Sequence, residues 1–195
     1  AAATAPPSVP VRYDAMAHVD KAGRYTPPRG ELGLQVLAER TLGSKTDAED
    51  ITQETFVRVV RVAKSLREPD KLRSFVYSVA VRTLRSNLRH RRVRAWLSFE
   101  SPEKLVDLKH YTMDVEARDA LRKFYVLLDR LSARERLVFV LRRIQAMTSE
   151  EVASTMGISV STVKRSMQRA STRLTTWIAD DPALEELCRG ELGSQ

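Results

Sequence analysis

Cysteine occurs once in the 195 residues, at Cys188, so neither an internal disulfide nor a cysteine-based zinc site can form. Three scattered histidines do not supply a metal site in its place. No apolar run approaches the ~18 residues that a membrane-spanning helix needs, so direct membrane insertion is not expected. The Ala/Pro-rich start carries no basic head before an apolar run, which argues against a secretory signal. A chain that opens on Ala1 rather than Met reads as processed or as the edge of a longer piece. Also missing are paired carboxylates, a nucleophile–base arrangement and a Gly-rich phosphate loop, and with them any basis for an enzyme or a bound cofactor. The expectation is a cytoplasmic, non-catalytic protein. Positive charge, by contrast, is plentiful: 33 Lys and Arg against 25 Asp and Glu give a formal net charge of +8. With a pI near 9.9, the chain points to an anionic partner, nucleic acid or an acidic membrane surface.

The hydrophobic pattern predicts an all-α protein, two small helical domains joined by a linker, the second containing a helix-turn-helix. Residues 1–11 lack periodicity and are expected to be disordered. Residues 12–22 allow a short helix with Tyr13, Met16 and Val19 or Asp20 on one side, before Pro27, Pro28 and Gly30 interrupt. A helix over 31–42 places Leu34, Leu37 or Ala38, and Leu42 on an apolar stripe. Gly43 ends it as a left-handed cap, and 44–47 make the turn. The next helix, over 47–66, opens with Asp47, Glu49 and Asp50 against its dipole. Ile51, Thr55, Val59, Val62 and Leu66 follow the period inward, flanked by Phe56 and Ala63. Asp50, Glu54, Arg58 and Arg61 fall on the opposite face, with Gln53 beside them. Taken alone, such a face is a solvated one, with Glu54–Arg58 a helix-stabilising pair of ~0.2–0.5 kcal/mol.

Residues 71–94 hold one Lys, seven Arg and no carboxylate. Phe75, Val79, Leu84 and Leu88 form an approximate apolar stripe, while Arg82, Arg85 and Arg89 share a face. Arg91, Arg92 and Arg94 are expected to extend the charge past the helix end. Unrelieved positive charge along a face is what a phosphate backbone rewards. Trp96 and Phe99 read as core anchors or as stacking platforms, and their place at an element end favours the core. Residues 98–116 are acidic, lose periodicity and contain Pro102; they read as a solvated interdomain linker.

The second domain spans 117–179. Leu121, Phe124, Leu127 or Leu128, and Leu131 point inward from its first helix. Ser132-x-x-Glu135 and Thr148-x-x-Glu151 form two capping boxes, the first opening SARERLVFVLRRI as one helix. Gly157 then closes a short helix, Ile158 packs, and Ser159 caps the last one. Helix, Gly-containing turn and helix make a helix-turn-helix. In the last helix Val163, Met167, Ala170 and Leu174 face inward. Ser161, Lys164, Arg165, Gln168 and Arg169 lie on the other side with no carboxylate among them, which suits the major groove and its flanking phosphates. Residues 180–195 carry five carboxylates against Arg189 and read as a disordered tail in preference to a brake folded back on a basic face. Nothing near Cys188 is arranged to lower its pKa.

Position by position, DAEDITQETFVRV closely resembles the core-polymerase-binding helix of bacterial sigma factors. LSARERLVFVLRRIQAMTSEEVASTMGISVSTVKRSMQRA resembles the sigma domain that reads the −35 promoter element. Over 12–178 the chain thus resembles an extracytoplasmic-function sigma factor of the sigma-70 family. The resemblance implies that 12–97 is sigma domain 2, binding core polymerase through Asp50, Gln53, Glu54, Arg58 and Arg61. It implies that residues 64–71 help form a pocket for a flipped base of the melted −10 strand, with Arg73, Ser78, Arg82, Arg85, Ser86 and Arg89 along that strand. The segment 117–179 becomes sigma domain 4, presenting Ser161, Lys164, Arg165, Gln168 and Arg169 to the −35 element, and 98–116 a linker threading the polymerase cleft. The implied partners are bacterial core RNA polymerase, promoter DNA and an anti-sigma factor that would hold the chain at the inner membrane. Phe75 stands where the group usually has Trp, Ala80-Val81-Arg82 where Asn often follows Ala-Arg, and Ser86 where Asp is common. These departures bear on base preference at −10. The alternative is a stand-alone helix-turn-helix regulator binding duplex DNA without polymerase; it leaves DAEDITQETF and the arginine stretch unexplained.

Overall fold

In the computed structural model, residues 33–63, 72–98, 106–108, 115–182 and 184 are described. The helix expected at 12–22, the loop at 64–71, Leu66, Phe99 and Cys188 lie outside these residues, as do the side chains of Arg73 and Trp96. Helix α1 (Gly33–Leu42) buries Leu34, Leu37, Ala38 and Leu42, the expected stripe. Gly43 ends it at φ +69°, its N–H donating to the Glu39 carbonyl at 2.7 Å. Helix α2 (Lys45–Ala63) starts earlier than a 44–47 turn allows, because Ser44 Oγ accepts the Asp47 N–H at 3.2 Å and caps it. Ala48, Ile51, Thr55 and Val59 are its buried stripe. Phe56 and Val62 do not join them, being 43% and 47% exposed. Phe56 is turned ~100° round the helix from Thr55, and Val62 lies almost a turn beyond Val59.

Helix α3 (Leu72–Ser98) is one unbroken helix of 27 residues, so Arg91, Arg92 and Arg94 lie within it rather than past its end. No Pro or Gly interrupts the stretch. It buries Val79, Leu84 and Leu88, and also Arg91. Helix α2 packs along it. In the second half α4 (Val115–Arg130) buries Ala120, Tyr125, Leu127 and Leu128. Helix α5 (Ala133–Phe139) opens on the Ser132–Glu135 capping box, both reciprocal bonds present. It does not run straight on as SARERLVFVLRRI suggests. Val140–Ile144 form a π-helical turn, with the Gln145 N–H donating to the Val140 carbonyl at 3.0 Å. Helix α6 (Ser149–Met156) opens on the Thr148–Glu151 box and closes on Gly157 at φ +63°. Ser159 caps α7 (Val160–Ala179), completing the helix-turn-helix.

Residues from Leu34 onward form one compact unit. Leu37, Leu42, Ile51, Leu84 and Leu88 of the first half share a core with Leu137, Leu141, Val152 and Val163 of the second. The two helical domains therefore pack on each other, α3 lying against α5 and α6. A second cluster gathers Tyr125, Leu128, Leu131 and Leu174 with Val106 and Leu108 of the linker. A solvated tether does not describe 106–108: alternation turns both apolar side chains inward, while the Asp107 N–H donates to the Gly43 carbonyl at 2.9 Å. The start of the tail is also packed, since Leu184 is buried in the same cluster. No helix among the described residues is long and apolar enough to cross a membrane.

Candidate nucleic-acid and protein interface

Burying Ile51, Thr55 and Val59 turns the opposite face of α2 outward, and Asp50, Gln53, Glu54, Arg58 and Arg61 are all exposed on it. Arg58 Nη2 meets Glu54 Oε1 at 2.6 Å, with both side chains about half exposed, so the pair adds little to stability. Phe56, Val57, Val60 and Val62 are exposed too. Sequence reading missed this apolar surface. The signal was present, because FVRVVRVA holds more apolar residues than one helical stripe can bury.

On α3, Arg82 and Arg89 are exposed, whereas Ser78, Arg85 and Ser86 are half-buried. Ser78 Oγ donates to the Ser74 carbonyl at 2.9 Å and is thus occupied within its own helix. Arg91 is not part of an open basic face. Its Nη1 donates to the Leu42 carbonyl at 3.2 Å and lies 3.6 Å from Asp47 Oδ2. Arg92 Nη2 donates to the Leu131 carbonyl at 2.6 Å. From the other half, the fully buried Arg136 donates through Nε to the Thr41 carbonyl at 2.6 Å and pairs with Asp129. Burial holds the Arg136 guanidinium below its ordinary pKa, with the Asp129 carboxylate opposing that shift. Three arginines thus satisfy carbonyls at or just past the C-terminal ends of α1 and α4, where cations also complement the helix dipole. Arg91 could have been suspected: Leu84, Leu88 and Arg91 recur at helical spacing, and all are buried.

On α7, Ser161, Lys164, Arg165, Gln168 and Arg169 are all exposed, opposite the buried Val163, Ala170 and Leu174. Met167 is partly buried against the core, and Ser166 is buried as well. Arg173 Nη1 donates to Glu135 Oε2 at 3.0 Å. Burial pushes the Glu135 carboxyl up, but hydrogen bonds from Ser132 and the charges of Arg173 and Arg169 leave it below the usual range. Among the described residues, no group of three His, Cys, Asp or Glu is placed to hold a metal ion. The two basic faces are not separate. Arg85 and Arg89 of α3 and Arg134 and Arg169 of the second half line one cavity of about 470 Å³. Desolvation, and then the neighbouring Arg89 and Arg134, depress the pKa of Arg85.

Two family models match this chain. The model for sigma-70 region 2 covers residues 34–94, spanning α1 to most of α3, and that for sigma-70 region 4 covers 121–174. RNA polymerase sigma factor CnrH of Cupriavidus metallidurans is 30% identical over 156 residues, covering 74% of this chain and 80% of that protein. The ECF RNA polymerase sigma factor SigG of Mycobacterium tuberculosis is 29% identical over 161 residues, 70% of this chain but only 43% of SigG. Among solved structures, the sigma factor RpoE of Bartonella quintana, in complex with the anti-sigma factor NepR, shares the fold at a TM-score of 0.55 and 22% identity, over 76% of this chain and 91% of that one. With both sigma-70 regions in their order and relatives of this kind, the chain belongs to the extracytoplasmic-function group of the sigma-70 family of RNA polymerase sigma factors.

Proposed function

We propose that this chain is the dissociable subunit that brings bacterial core RNA polymerase to a particular set of promoters. Its role is regulatory rather than catalytic. The observation that carries the reading is the coexistence, in one chain, of an exposed acidic-to-basic α2 face and an exposed carboxylate-free recognition face on α7. On this reading Asp50, Gln53, Glu54, Arg58 and Arg61 dock on the polymerase, with Val57 and Val60 supplying apolar contact. Arg73, Ser78, Arg82, Arg85, Ser86 and Arg89 follow the melted −10 strand, where strand-binding energy offsets the unstacking cost of a few kcal/mol per base. Ser161, Lys164, Arg165, Gln168 and Arg169 enter the major groove at −35. The two elements lie some 25 base pairs apart by their names, about 85 Å of duplex at ~3.4 Å per step. Faces that line a single cavity cannot span this, so the two domains separate on the promoter. We place the protein in the cytoplasm, held at the inner membrane by an anti-sigma factor, a partner that the RpoE–NepR complex makes reasonable for this fold.

The test is run-off transcription with purified bacterial core polymerase on a randomised promoter library, with and without the protein. Transcripts sharing two spaced upstream motifs, only when the protein is present, are the expected result. No enrichment, together with duplex binding in the absence of polymerase, would sink the reading in favour of a stand-alone regulator.

A further inference from the structure

In the packed arrangement the cavity between α3 and the second domain is walled by arginine, including side chains that promoter DNA would claim only once the domains part. Seven arginines line it against two carboxylates, a formal surplus of five positive charges. Both carboxylates are already engaged, Asp129 with Arg136 and Glu135 with Arg173. Three of the arginines, Arg91, Arg92 and Arg136, are held by backbone carbonyls. The other four, Arg85, Arg89, Arg134 and Arg169, make no hydrogen bond or ion pair among the described residues. Arg85 Nε in particular is shut off from solvent with no acceptor. The buried Ser166 adds a hydroxyl to the same wall. Like charges gathered without counter-charge cost energy unless an anion joins them, and an arginine fork matches phosphate oxygens.

The size of the space selects the ligand. About 470 Å³ falls within the range of small-molecule sites, whereas a duplex ~20 Å across does not enter. We propose that this cavity is a binding site for a small oligophosphate anion, carried either as a free inorganic chain or as the phosphate arm of a nucleotide, gripped by Arg85, Arg89, Arg134 and Arg169. Arg85 and Arg89 come from one domain, and Arg134 and Arg169 from the other. The bound anion therefore bridges the two and favours their packed arrangement. That this would withhold Arg85, Arg89 and Arg169 from promoter DNA rests on the sigma reading. Binding itself does not.

Calorimetric titration of the full chain with sodium tripolyphosphate is the test, in parallel with ATP and adenosine. Saturable binding at one site per chain is expected. Arg134→Ala, an exposed position whose loss leaves the fold intact, should weaken it about tenfold, the value of one charge-assisted hydrogen bond. Arg122→Ala, outside the cavity, should leave it unchanged. Equal affinity for ATP and tripolyphosphate assigns the free chain; tighter ATP binding assigns the nucleotide. Absence of saturable heat, or an affinity equally insensitive to Arg134→Ala and Arg122→Ala, overturns the proposal. Neither result depends on the outcome of the transcription assay.

Discussion

Arg136 sits in the LVFV-flanked interior with its guanidinium split between the Thr41 carbonyl and Asp129. A buried charge held this way is costly to abandon, because its removal strands the Asp129 carboxylate and an α1 carbonyl together. Arg136→Ala is expected to cost about 3 kcal/mol in urea unfolding. Arg136→Lys should recover little of it, since an ammonium lacks the fork that reaches both acceptors; full recovery by Lys would show that charge alone matters. In the sequence this residue looks no different from Arg134 or Arg169. What separates them is which carbonyl lies within reach of a long side chain, and that is decided by packing between segments some 95 residues apart. Arg91 misled in the same way: its side chain caps α1 across 49 residues of sequence.

Helices were readable from the chain where a local bond starts or stops them. The two capping boxes and both left-handed glycines are set within four residues of sequence, and all four are present. The glycines are not equivalent, however. A Cβ on Gly157 meets nothing within 4 Å, whereas one on Gly43 sits 2.7 Å from the Tyr125 ring. Gly157→Ala should therefore cost about 1 kcal/mol, the left-handed backbone penalty alone. Gly43→Ala adds a clash with a packed ring and should cost about 2–4 kcal/mol. Equal losses in urea midpoints would remove Tyr125 from the account. The π-helical turn was not legible, because SARERLVFVLRRI has the periodicity of a straight helix and one extra residue per turn leaves no local mark. In the exposed strip, the expectation turns Phe56 and Val62 inward and passes over Val57 and Val60, for a related reason. Periodicity finds an apolar face, but not how far along the helix its cover extends.

Across the whole molecule, apolar burial draws the two domains together, while the uncompensated arginines of their shared cavity push them apart. Sodium chloride below about 1 M acts mainly on the second of these. The Debye length shrinks from ~30 Å at 0.01 M to ~3 Å at 1 M, so raising salt should tighten the packed form. Small-angle scattering is expected to give a smaller radius of gyration at 0.5 M than at 0.01 M salt; expansion at high salt would mean that opposite charges, not like ones, dominate the contact. The docked linker has its own bearing on how the halves part. Sixteen residues lie between the end of α3 at Ser98 and the start of α4 at Val115. Fully extended they reach about 55 Å. Val106 and Leu108 of that stretch pack among second-domain side chains, while the Asp107 N–H reaches back to the Gly43 carbonyl of the first domain. Residues 106–108 thus belong with domain 4 and carry one donor that meets domain 2, a latch that a parted domain 4 takes with it.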